Sequence, residues 1–157
     1  MKTLVIIPSR MSATRLPGKP LLKINGLSII SHVSKKAGEA NIGDVIVATE
    51  DQEIIDDVKS NGFNAILTSN KHKTGTDRIY EALKKSNVRD VDFIMNLQGD
   101  EPAIDIDDIK SLSDKMVKNN SNLGTLAAKI KDIKNLKNEN IVKVITENSL
   151  DAVSYTH

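Results

Sequence analysis

Short apolar runs of strand length alternate along the chain with longer stretches in which apolar residues recur every three or four positions. The short runs predict buried strands at Leu4 to Ile7, Asp44 to Ala48, Asn64 to Leu67, Phe93 to Asn96 and Leu123 to Ala128, with a last β-rich run from Ile141 to Thr146. The longer stretches predict helices. Ser28 to Ala40 puts Ile29, Ile30, Val33 and Ala37 on one face, and Gln52 to Asn61 does the same with Ile54, Ile55 and Val58, with Asp51 at the N-cap position. Thr76 to Lys85 and Ile106 to Lys118 complete the set, and the polar stretch from Asp132 to Asn140 reads as a loop or insertion. Such alternation is the pattern of a mostly parallel sheet covered by helices on both faces, so the fold class is α/β. No repeat, low-complexity tract or Pro/Ser-rich linker divides the chain, which predicts one domain over residues 1–157.

Charge narrows the function. The 22 Lys and Arg nearly balance the 21 Asp and Glu, so no global field recruits nucleic acid or an acidic membrane, and any phosphate binding must be local. Cysteine is absent, which removes disulfides, thiolate metal sites and cysteine nucleophiles. The apolar start Leu4-Val5-Ile6-Ile7 is too short for a signal segment or a membrane span, and the cytoplasm is the expected location. His32, His72 and His157 lack metal-ligand spacing and read as surface or packing residues, while Lys35-Lys36 and Lys84-Lys85 read as solvated helix faces.

One local field does appear, directly after the first strand, in Pro8-Ser9-Arg10-Met11-Ser12-Ala13-Thr14-Arg15-Leu16-Pro17-Gly18-Lys19-Pro20-Leu21. Ligands of open α/β sheets sit beyond the carboxyl ends of the strands, where this loop must lie. Arg10, Arg15 and Lys19 among small, turn-forming residues suit a triphosphate cradle; a solvated basic loop built on a Pro-Gly turn is the plainer alternative. Neither a Walker A loop nor a G-x-G-x-x-G fingerprint is present. A second field follows the strand Phe93 to Asn96, which delivers Gln98, Asp100 and Glu101 at its carboxyl end. Mg²⁺ prefers one or two carboxylates plus water and substrate phosphate, which makes Asp100 the candidate ligand and Glu101 the weaker one; the alternative is an acidic turn. Thr74-Gly75-Thr76-Asp77-Arg78 reads either as part of a pocket or as a helix start with Thr74 or Thr76 as cap and Arg78 on an exposed first turn, and a helix start is itself an anion site.

These segments carry a resemblance. Arg10 to Leu21 resembles the R-x-x-S/A-x-R-L-P-G-K-P-L signature of the 3-deoxy-manno-octulosonate cytidylyltransferase (CMP-Kdo synthetase) family, and differs from the R-x-G-S-K-G loop of sialate cytidylyltransferases. Val47-Ala48-Thr49-Glu50-Asp51, Thr74-Gly75-Thr76-Asp77-Arg78 and Asn96-Leu97-Gln98-Gly99-Asp100-Glu101-Pro102 resemble three further family motifs in the same order.

The resemblance implies a Rossmann-like nucleotidyltransferase that transfers CMP from CTP to the anomeric hydroxyl of Kdo or a close 3-deoxy-ulosonic acid, releasing pyrophosphate, for lipopolysaccharide synthesis. It implies that Arg10 and Lys19 grip the triphosphate, that Pro8 and Ser9 offer backbone groups to the cytosine, and that Thr74, Gly75, Thr76 and Arg78 shape the base and ribose pocket. Arg15 would lie near the phosphates or the sugar acid, Gln98 would face the sugar acid or the nucleotide, and Asp100 would hold Mg²⁺. Family members are homodimers and run on beyond residue 157, with a second metal-binding aspartate in the later part. The chain therefore reads as the amino-terminal portion of such an enzyme, expected to bind CTP weakly with little turnover, the rivals being another sugar nucleotidyltransferase or a non-catalytic CTP-binding fragment.

Overall fold

The computed structural model describes residues 1–12, 16–146 and 152–156. They fall into two compact units, Met1–Asn122 and Leu123–His157.

In the first unit, four parallel strands form one sheet: β1 (Thr3–Ser9), β4 (Gly43–Thr49), β5 (Ala65–Leu67) and β6 (Phe93–Asn96), in the order β5-β4-β1-β6. β1 is central. It pairs with β4 from Thr3 opposite Gly43 to Ser9 opposite Thr49, and with β6 from Thr3 opposite Phe93 to Ile6 opposite Asn96. Its apolar run does not alternate with polar residues because both faces are covered, and Leu4, Val5, Ile6 and Ile7 have no exposed surface. Val5 and Ile7 point to a core made with α1 (Ile29–Ala40), α2 (Gln52–Ser60) and α4 (Ile106–Asn119), through Ile30, Val33, Ile54, Val58 and Ile109. Leu4 and Ile6 point the other way, to Ile79 and Ala82 of α3 (Gly75–Lys85). This is the predicted α/β class, with the predicted helices in place.

Two local features refine the prediction. A short 3-10 helix, Lys19–Leu21, and a hairpin of β2 (Lys23–Ile24) and β3 (Leu27–Ser28) lead from the basic loop to α1. Asn25 and Gly26 form the hairpin's two-residue turn, both with positive φ (50° and 84°), which is the geometry Asn-Gly favours. Ser28 then caps α1, its Oγ accepting from the Ser31 amide.

The second unit contains a short helix α5 (Ile133–Leu136) and the antiparallel pair β7 (Lys143–Thr146) and β8 (Ala152–Thr156). The predicted strand Leu123 to Ala128 does not form. A strand needs a backbone ladder as well as apolar residues, and this run pairs with no described strand, leaving Leu123 82% exposed. The stretch expected to be a loop, Asp132 to Asn140, includes α5, because the Asp132 carboxylate accepts from the Lys134 amide and starts a turn of helix. Of the β-rich run from Ile141, only Lys143–Thr146 is strand.

Candidate active site

The carboxyl ends of β1 and β6 open into a cleft of about 560 Å³. Its lining comes from three segments: the β1 end and basic loop, the loop into α3, and the turn after β6. The cleft thus gathers Pro8, Ser9, Arg10, Lys19, Thr74, Gly75, Arg78, Gln98 and Asp100 from the sequence-derived set. Thr76 is exposed and does not line it, and Arg15 lies outside the described residues.

Close packing at Gly99 permits the convergence of β1 and β6. A Cβ there would stand 2.9 Å from the Pro8 carbonyl oxygen and 3.1 Å from Ile30 Cδ1, so any side chain would force the two strand ends apart. Across this seam, Lys19 Nζ donates to Asp100 Oδ2 at 2.9 Å, joining the basic and acidic fields read in the sequence. Gly18, with φ of 74°, turns the chain into the 3-10 helix that presents Lys19. Arg10 is exposed at the end of β1. On the inner side of the cleft, Ser9 is 8% exposed and its Oγ has no hydrogen-bond partner among the described residues. A buried hydroxyl in that state carries a desolvation cost that a polar ligand would relieve.

The opposite wall is held by internal charge pairing. Thr74 caps α3: its Oγ1 accepts from the Asp77 amide at 3.1 Å and donates to Asp77 Oδ2 at 2.7 Å. Gly75, the first helical residue, faces the cleft, so part of the positive helix end does too. Arg78 is buried at 4% exposure, which removes the alternative of an exposed first-turn residue. Its Nη1 donates to Thr68 Oγ1 at 2.6 Å and its Nη2 to the Glu50 carboxylate, so its donors support the wall from behind. One turn further on, Glu81 accepts from the Ser69 amide at 2.8 Å, pairs with His72 Nε2, and binds Lys85 Nζ at 2.7 Å. Lys85, the Ser69 amide and His72 together hold its carboxyl down to about 2.

Several cleft residues were given no site role from the sequence: Leu16, Pro20, His72, Lys73 and Gly99. His72, read as a surface or packing residue, stands on the cleft wall with its ring engaged by Glu81. Asp51 occupies the predicted N-cap position of α2 but makes no side-chain cap bond; its carboxylate accepts the Met11 amide instead, at 2.8 Å.

Among the described residues no group of three His, Asp or Glu side chains could cage a metal. Asp100 is half exposed and paired with Lys19, and as a single hard carboxylate it suits Mg²⁺ held mainly by substrate phosphate and water.

A family model described as Cytidylyltransferase matches residues 4–156. A 3-deoxy-manno-octulosonate cytidylyltransferase of Rhodopseudomonas palustris is 46% identical over 145 residues, covering 92% of this chain and 59% of the relative. One from Haemophilus influenzae is 42% identical over 147 residues, covering 94% of this chain and 58% of the relative. A solved CMP:2-keto-3-deoxy-manno-octonic acid synthetase complexed with CTP superposes with a TM-score of 0.85 at 34% identity, over 99% of this chain and 64% of that one. The chain thus spans a little under three fifths of the length of these curated relatives.

Proposed function

The chain belongs to the cytidylyltransferase family, and on that premise we propose that its cleft binds CTP and that the enzyme transfers CMP to the anomeric hydroxyl of 3-deoxy-manno-octulosonate, in the cytoplasm. The observation that carries this reading is the Lys19–Asp100 contact at the cleft mouth with Arg10 alongside. It brings together the two charge types that nucleotidyl transfer requires: cations for the triphosphate and a hard carboxylate for its counter-ion. The relatives named for this reaction support the choice of sugar acid.

In this mechanism the sugar's anomeric hydroxyl gives up its proton to solvent as its oxygen attacks the α-phosphorus, the bond from that phosphorus to the α,β-bridging oxygen breaks, and pyrophosphate leaves with that electron pair. No covalent enzyme intermediate is needed. Arg10 and Lys19 hold the phosphates and stabilise the charge that grows on the leaving group. Ser9 and the helix end at Gly75 meet polar groups of the nucleotide. Thr76, in the same first turn, acts through backbone placement. Arg78 keeps that wall in position through Glu50 and Thr68. Gln98, on the cleft lining, meets the sugar acid or the nucleotide. Asp100 fits as the ligand of Mg²⁺, which, when bound with the substrate phosphates, supplies further positive charge.

Thermal stability of the purified chain, titrated with each nucleoside triphosphate with and without Mg²⁺, tests the binding half of this reading. A CTP-selective, Mg²⁺-dependent rise that is lost in Arg10→Ala and Asp100→Ala is expected; equal response to all four nucleotides would remove it. Pyrophosphate release with Kdo present tests the chemical half. CTP binding without release would restrict this chain to nucleotide binding.

A further inference from the structure

We infer that Asp51 is a positioning residue for the triphosphate, holding the neck of the basic loop so that Arg10 and Lys19 stand together over the cleft. The inference rests on the nucleotide-binding reading above.

Met11 is fixed at three points. Its amide donates to Asp51 Oδ2 at 2.8 Å, its carbonyl accepts from the Gly18 amide at 3.0 Å, and its side chain packs against the core that holds Val5 and Ile7. Arg10 immediately precedes Met11 and Lys19 immediately follows Gly18, so the Met11–Gly18 bond brings the backbone positions of the two cations together. The Asp51 carboxylate is the hydrogen-bonding tie between that neck and the β4–α2 junction. Asp51 is in turn placed by β4, its own amide donating to Thr49 Oγ1 at 3.1 Å. The missing side-chain cap on α2 has the same explanation: a carboxylate at an N-cap normally accepts from its own helix, and this one is turned to the loop.

The sign of the effect separates positioning from simple electrostatics. By Coulomb attraction alone, removing an acid from the neighbourhood of a phosphate site strengthens binding of an anion. Loss of the tether weakens it, because the cations must then be ordered when the ligand binds.

The test is Asp51→Ala beside Asp51→Asn, whose amide oxygen can still accept from Met11. In the ligand-free protein, hydrogen exchange of the Met11 amide is expected to speed up roughly tenfold in Asp51→Ala and to stay near the wild-type rate in Asp51→Asn. CTP affinity with Mg²⁺ is expected to fall roughly tenfold in Asp51→Ala, with CMP affinity little changed because CMP lacks the β- and γ-phosphates, and to be restored largely by Asn. Unchanged or tighter CTP binding in Asp51→Ala, an equal loss for CTP and CMP, or an Asn variant as impaired as Ala would each overturn the inference. If wild-type protein binds no nucleotide, the functional reading fails and this role for Asp51 fails with it, whereas unchanged Met11 exchange in Asp51→Ala refutes the tether alone.

Discussion

Two ion pairs, one at the mouth of the cleft and one behind its wall, differ in almost everything except the charges they join. Lys19 and Asp100 meet at the mouth with side chains 32% and 57% exposed; Arg78 and Glu50 meet in the wall at 5% and 17%. The outer pair is solvated, so its members exchange protein contact for water or ligand at little cost. The inner pair is largely withdrawn from water, and the Arg78 guanidinium depends on Glu50 and on Thr68 for compensation. The contrast separates groups that are available to a ligand from groups that keep the site in shape, although all four sit in or beside segments with the same motif-like sequence character.

The largest expected effect comes from breaking the inner pair. Glu50→Ala leaves the Arg78 guanidinium buried without its counter-ion, and loss of one partner of such a pair costs about 3 kcal/mol or more. Denaturant unfolding would show this as a lower midpoint at unchanged slope. A cost near that of an ordinary surface substitution would erase the distinction between the two pairs. Next comes the outer set, read on affinity: Arg10→Ala and Lys19→Ala are each expected to weaken CTP binding about tenfold or more through lost charge-assisted contacts, while leaving the unfolding midpoint close to that of the unaltered chain.

Much of this was legible in advance, and the limits are physical. Leu4 to Ile7 announced a buried strand because the centre of a parallel sheet covered on both sides permits little else than apolar runs, whereas Phe93 to Asn96, expected to be buried, forms the edge strand β6 and leaves Ile94 40% exposed. That Arg10, Lys19 and Asp100 would gather at one cleft was legible because strand ends of an α/β sheet deliver whatever follows them to one edge. Leu123 to Ala128 misled because strand formation depends on a partner that local sequence does not contain. The Asn25-Gly26 hairpin was legible in its dipeptide and passed over. Roles that depend on long-range pairing were not readable: Glu50 meets Arg78 across 28 positions, Asp51 meets Met11 across 40, and the Asp51 identity fitted a helix cap equally well.

Acid sharpens the comparison at a third carboxylate. Glu81 is held at about 2 by Lys85, the Ser69 amide and His72, below its ordinary 4.5. A depressed folded-state value means stability that is fully present above the unfolded value and is lost as pH falls from about 4.5 toward 2. Glu81→Gln is therefore expected to flatten the dependence of unfolding free energy on pH across that window, and to leave the slope above pH 5 unchanged. An unaltered acid limb would show that the clamp on the Ser69–His72 loop carries no stability.

The smallest effect is expected where the contact looks most direct. Lys19 Nζ and Asp100 Oδ2 are 2.9 Å apart, a distance at which unscreened charges attract strongly, yet both groups keep much of their surface in water. Holding two such side chains in one geometry costs rotamer entropy of the same order as the screened attraction. A double-mutant cycle on unfolding with Lys19→Ala, Asp100→Ala and both together is therefore expected to give a coupling of about 0.2 to 1 kcal/mol. It should fall further with added salt, since the pair faces solvent. A coupling several times larger and insensitive to salt would make Lys19–Asp100 a structural pair of the Arg78–Glu50 kind, held closed against a ligand rather than open to one.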